Sequence, residues 1–188
     1  MIKPKPTVVL VHGAFAESAS RPGVVEQLQA NGVRVVAVAN PLRSVPGDAA
    51  YLRDVIAGID GLGPALTAYP VTTGGNELAI RPDTFHHQFA ADVSPAQAEV
   101  LSATQRPVTE VALTEGLPSD VPAWQSVPSW FVFSDEDRCI PVALHRFMAE
   151  RAGAKDVREV PGASHTLSVS HPDVVTASIL EAVDAVAA

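Results

Sequence analysis

Short β-branched runs alternate along the chain with apolar stripes of helical period. Residues 7–11 read as a buried strand ended by His12-Gly13-Ala14. Pro22 opens a helix whose Val24, Val25 and Leu28 share one face, and Asn31-Gly32 stops it. Residues 33–39 form a second strand, closed by Asn40-Pro41. Asp48 caps a second helix with Leu52, Val55, Ile56 and Ile59 at i, i+3, i+4 and i+7. Two strands, each followed by a helix, imply a parallel sheet with right-handed crossovers.

The alternation breaks after Asp60-Gly61, where no apolar run of strand length follows. Residues 62–93 read as irregular and cap-like. Ser94-Pro95-Ala96-Gln97 is a capping box that opens a helix. A short helical pattern near 108–113 follows, and Pro118, Pro122 and Pro128 mark an extended connection. Alternation resumes with a strand at 130–133 and a helix opened by Pro141, with Leu144, Phe147 and Met148 inward. A strand at 157–160 then runs into Pro161-Gly162-Ala163-Ser164-His165. The last helix starts at Pro172, with Val175, Ile179, Val183 and Val186 on its buried stripe. Neither a repeat nor a linker interrupts the pattern, so residues 1–188 form one domain, with 62–128 a cap-like insertion.

With 188 residues, 47% hydrophobic and 18% charged, the chain is globular in composition and long enough to bury a core. Its net charge of −8, without blocks of like charge, argues against nucleic acid or an anionic membrane as partner. The aliphatic runs are too short to span a bilayer, and four apolar residues after Lys3 and Lys5 make no signal-peptide core. Its one cysteine, Cys139, excludes an internal disulfide and suggests a reducing, cytoplasmic setting.

The chemistry-bearing residues gather at predicted strand ends, where open α/β sheets place their sites. His12-Gly13-Ala14 leaves the first strand, Asp137 follows the third and His165 the fourth. A carboxylate within reach of a histidine fixes its tautomer and stabilises the imidazolium. A strand followed by His-Gly and a small residue can aim a backbone N–H at a developing oxyanion. His86-His87 near Asp92 does not read as a metal site, because adjacent histidines point apart.

Together with Ser134-Asp135-Glu136-Asp137-Arg138-Cys139-Ile140-Pro141 and Gly162-Ala163-Ser164-His165, these residues resemble the α/β-hydrolase fold. The similarity is to the small-esterase branch that includes plant methyl-ester esterases, hydroxynitrile lyases and bacterial relatives. The stretch from Phe85 through Trp124 into Pro128-Ser129-Trp130 resembles that branch's cap. The resemblance implies Asp137 as triad acid, His165 as general base and Ala14 as a backbone oxyanion donor. Asp135 competes for the acid role. Phe15, Phe85, Phe89 and Trp124 are the expected lining of a ligand pocket.

Enzymes of this branch hold their nucleophile in a strand–Gly-x-Ser-x-Gly–helix elbow that precedes the acid and the histidine. No Gly-x-Ser-x-Gly occurs in this sequence. The elbow would fall between Asp60-Gly61 and Leu62-Gly63, which leaves out at least one β-α-β unit, on the order of 30 residues. Ser18, Ser134, Ser164, Thr72, Thr73 and Cys139 all lack the elbow context that presents a nucleophile.

The sequence therefore predicts a truncated α/β-hydrolase: a three-layer parallel sheet of about four strands, order 2-1-3-4, with a small helical cap. By resemblance it is a hydrolase of small carboxylic esters, inactive or very weak without its serine. The other readings are a non-catalytic binder of a small apolar ligand and a truncated product without function. Neither cofactor nor metal is expected, and open strand edges would favour homo-oligomers.

Overall fold

A computed structural model describes residues 6–59 and 77–187. In chain order the elements are β1 (Val8–Val11), α1 (Pro22–Ala30), β2 (Val35–Val38) and α2 (Val45–Gly58). Then come β3 (Glu77–Leu78), α3 (Pro82–Phe89), α4 (Pro95–Ala103), β4 (Val108–Thr109) and α5 (Glu110–Thr114). The last group is β5 (Trp130–Ser134), α6 (Val142–Arg151), β6 (Asp156–Val160), α7 (Leu167–Ser170) and α8 (Pro172–Ala187). Among the described residues, no helix is long and apolar enough to cross a membrane.

Local signals set most helix boundaries. Pro22 starts α1, and Gly32, at φ +69°, takes the left-handed turn after it. Ser94 accepts from the Gln97 amide at the start of α4, so the capping box forms as expected. The second helix starts earlier than its sequence suggests. Ser44, not Asp48, is its N-cap and accepts from the Gly47 amide at 3.1 Å. Asp48 reaches back to the Arg43 amide instead, because Pro46 at the second helical position favours the earlier start.

Within 62–93, expected to be irregular, Pro82–Phe89 is helical, and Phe85 and Phe89 bury one face of it. Residues 60–76, where the cap begins, lie outside the described residues. The rest of the insertion combines α3 and α4 with the antiparallel pair β3–β4.

A single four-stranded sheet in order 2-1-3-4 is not formed. Strand β1 pairs parallel with β2, Val8 opposite Val35, and β5 pairs parallel with β6, Trp130 opposite Asp156. The two pairs remain separate sheets. Between them lies an apolar groove of about 540 Å³, lined by Thr7 and Val8 on one side and Trp130 and Val132 on the other. Its floor is α8, through Ile179 and Val183.

That helix keeps the sheets apart because it packs on α1 and on β5 together. Val175 joins the Val24–Leu28–Val33 cluster to the Val160–Ala163–Leu167 cluster. Closing the gap would slide β1 by about two strand spacings, roughly 10 Å, and would tear α8 from one partner. Val186, expected on its buried stripe, is exposed at the groove. In α6, Leu144 and Phe147 face outward and Ala149 is the buried position.

Candidate functional site

The β5–α6 loop brings Asp137 to the loop after β6. Its Oδ1 accepts from the Cys139 amide at 2.7 Å and the Ile140 amide at 2.9 Å, an Asx-type turn that leads into Pro141. Its Oδ2 accepts from His165 Nδ1 at 2.8 Å. The carboxylate is 4% exposed. Burial opposes its ionisation, but the bonds from His165, the Ile140 amide, His145 and the Cys139 amide outweigh burial. They hold the carboxyl well below the usual carboxylate range. Asp135, the competing acid, points elsewhere and accepts from the Gly162 amide at 2.7 Å. Gly162, at φ +73°, supplies the turn that returns the chain towards His165.

His145 is a partner the sequence analysis missed. Its Nε2 lies 3.0 Å from the same Asp137 Oδ2, and its ring stacks on Phe133 with centroids 5.2 Å apart. Its place in the first turn of α6 tilts its side chain back towards the loop that precedes the helix.

His165 borders a cavity of about 450 Å³. Phe15, Phe85 and Phe89 line it, together with Ala14. Phe89 tilts over His165 at 4.6 Å and meets Phe15 edge-on at 6.3 Å. Phe15 takes φ +63°, a left-handed backbone that a bulky residue rarely adopts, directly after Ala14. Trp124 does not reach the cavity. It lies under Arg151, 4.5 Å from ring centroid to guanidinium carbon, beside Phe147 on the outward side of α6. An exposed cation at the end of α6 captured the ring that sequence reasoning assigned to the pocket. Arg21, not singled out by the sequence analysis, does line the cavity.

Of the residues considered as nucleophiles, Ser18 does not line the cavity, and Ser134, Ser164 and Cys139 are committed elsewhere. Ser134 Oγ donates to the Ser164 carbonyl, and Ser164 Oγ donates to Asp92; both serines are buried. Thr72 and Thr73 lie outside the described residues. Cys139 Sγ donates to the Gln88 carbonyl at 3.4 Å. Burial, then the Asp137 charge, pushes its thiol up to about 11, so it is protonated at neutral pH.

Asp137, Cys139 and His165 offer ligand atoms within 4.8 Å of one another, the one such group among the described residues. Two imidazoles already share Asp137 Oδ2.

Behind Ala14, His12 is 2% exposed and its Nδ1–H donates to the Gly13 carbonyl at 3.0 Å. Its Nε2 has no partner among the described residues. Burial first, then the charges of Arg106 and Arg21, hold its pKa below the ordinary 6.5, against the hydrogen bond to Gly13. Both His12 and Asp137 are depressed on folding, so the unfolded chain binds more protons and stability rises with pH. Thermal midpoints should be level above about pH 7 and fall as His12 enters its unfolded range near 6.5. They should fall again below about pH 4, as Asp137 and Asp92, whose carboxyl is also lowered, take up protons. A midpoint that rises between pH 7.5 and 5.5 would contradict the assignment of His12.

Residues 46–178 match the family described as alpha/beta hydrolase. The fold is similar to polyneuridine aldehyde esterase, with TM-score 0.74, 15% identity and coverage of 94% of this chain and 99% of that one. It is also similar to a methylesterase protein from Arabidopsis, with TM-score 0.72, 14% identity and coverage of 95% and 99%. A tomato methylketone synthase I variant aligns with TM-score 0.71, 14% identity and coverage of 96% and 98%. No curated protein sequence matches the chain.

Proposed function

Because the chain belongs to the alpha/beta hydrolase family, we propose that it binds small carboxylic esters or related apolar ligands without hydrolysing them through a serine acyl-enzyme. The observation that carries this reading is the Asp137–His165 pair at the edge of a phenylalanine-lined cavity, with no described serine bonded to His165. Asp137 occupies Nδ1 of the imidazole, which leaves Nε2 as the free ring nitrogen. That nitrogen can accept from a ligand hydroxyl or act on a water. Ala14 lines the same cavity, and in this reading its backbone N–H donates to a ligand carbonyl oxygen.

Triad chemistry needs a nucleophile hydrogen-bonded to the base. The missing Gly-x-Ser-x-Gly, the committed Ser134 and Ser164 hydroxyls and the protonated Cys139 thiol all argue against one. What remains is general-base attack by water, which is slow because the members of a triad act as a unit. The acidic charge and single thiol support a cytoplasmic location, and the open edges of β1 and β5 favour self-association.

The test is intact mass after exposure to a fluorophosphonate, beside turnover of a short-chain p-nitrophenyl ester. We expect no adduct, and at most a slow turnover that His165→Ala lowers further. A stoichiometric adduct would overturn the reading, and peptide mapping would name the serine or threonine responsible.

A further inference from the structure

The cavity contains a cation that the reading above does not use. Arg21 lines it together with Gly13, Ala14 and His165. Its Nη1 donates to the Val11 carbonyl at 3.0 Å, at the end of β1. Among the described residues this is the only hydrogen-bond partner of the guanidinium, and no carboxylate pairs with it. A guanidinium carries five N–H donors in a fixed fork, so most of its capacity is not used by the described residues.

The surroundings make an unpaired charge there unusual. Phe15, Phe85, Phe89 and Ile140 supply apolar wall, and a cation beside such a wall is costly unless an anion joins it. Burial alone lowers the Arg21 pKa, as expected for a guanidinium without a counter-ion. A second cation, Arg106, also acts on His12 behind the same loop, and its Nε is buried without a partner. Glu17 is the acidic neighbour that opposes them at His12. In a chain of net charge −8, this end of the cavity is locally positive.

We propose that the cavity takes an amphipathic carboxylate, its head on Arg21 and its hydrocarbon tail against Phe15, Phe85 and Phe89. This rests on the ligand-binding reading above and makes Arg21 its specificity determinant. The planar fork matches a carboxylate through two parallel N–H donors, which neither an ester nor an alcohol can accept with charge. The carboxylic acid of an ester would therefore be held more tightly than the ester itself.

Three probes of one skeleton test this on the intact chain: 3-phenylpropanoate, its methyl ester and 3-phenylpropan-1-ol. Thermal shift and calorimetric titration read each affinity. The acid should bind about tenfold or more tightly than either neutral probe, the worth of a charge-assisted bidentate pair. Added salt should weaken the acid alone. Arg21→Gln should bring the acid down to the affinity of the ester, and Arg21→Lys should keep part of the preference. Equal binding of all three probes by the unaltered chain, or an undiminished preference in Arg21→Gln, would overturn the role of Arg21 and leave the pocket reading intact. Failure of every probe to bind would overturn the pocket reading, and this inference with it.

Discussion

Replacing Asp137 with alanine should lower the unfolding free energy by roughly 3 kcal/mol, the scale of several hydrogen bonds to one charged acceptor. The truncation strands the Cys139 and Ile140 amides and removes the shared acceptor of His145 and His165. The full sum of four such bonds is not expected, because the variant also escapes the cost of desolvating a carboxylate on folding. Asp137→Asn is the informative companion. Its remaining carbonyl still accepts both amides, so it should lose about 1–2 kcal/mol. Urea unfolding at constant slope measures both. The fall in stability below about pH 4 should also shrink in Asp137→Ala. A variant within about 0.5 kcal/mol of the parent would show that the cluster orients His165 without stabilising the fold.

Leu28→Ala should cost about 2–4 kcal/mol, the usual loss for a leucine that leaves a cavity in a close-packed core. Leu28 is fully buried between Val24 and Val33, against Val8 and Leu10 of β1 and Ile179 of α8. Leu144→Ala is its control. Both leucines sit at apolar positions of amphipathic helices, but Leu144 is 46% exposed. Its truncation should change stability by less than about 0.5 kcal/mol. The transition of Leu28→Ala should remain single, because Val175 ties its cluster to the one under β6. Equal losses from the two variants would mean that α6 buries Leu144 in solution.

Those two leucines mark where sequence reasoning reaches its limit. Periodicity finds a helix and its apolar stripe, but it does not tell whether a neighbour exists to cover the stripe. For α1 the neighbour is α8, whereas Arg151 and Trp124 lie beside Phe147 on the outer face of α6. Trp124 fell out of the pocket for the same reason. Its nearest partner is set by where α6 ends, which no spacing in the sequence records.

The site was legible in part. Asp137 and His165 follow the motifs that end their strands, and strand ends converge at one edge of any parallel arrangement. Phe85 and Phe89 lie one turn apart, and the helix that carries them went unread because His86, His87 and Gln88 mask its apolar face. His145 and Arg21 join the site from helix starts, and a helix start places a side chain only once its packing angle is known.

By itself the sequence determined the local punctuation: Pro22, Pro141 and Pro172 at helix starts, the Ser94–Gln97 capping box and the turn at Gly162. It also determined the order of the motifs and the absence of a Gly-x-Ser-x-Gly elbow. These are decided within a few residues, by capping hydrogen bonds and by the fixed φ of proline. Only the tertiary structure decided that β1 and β5 stand apart across a groove, and that Arg21 rather than Trp124 enters the cavity. Both outcomes follow from packing between elements distant in sequence. Helix α8 is held by α1 and by β5 at once, and the spacing it imposes is a balance of buried surfaces that no local stretch encodes.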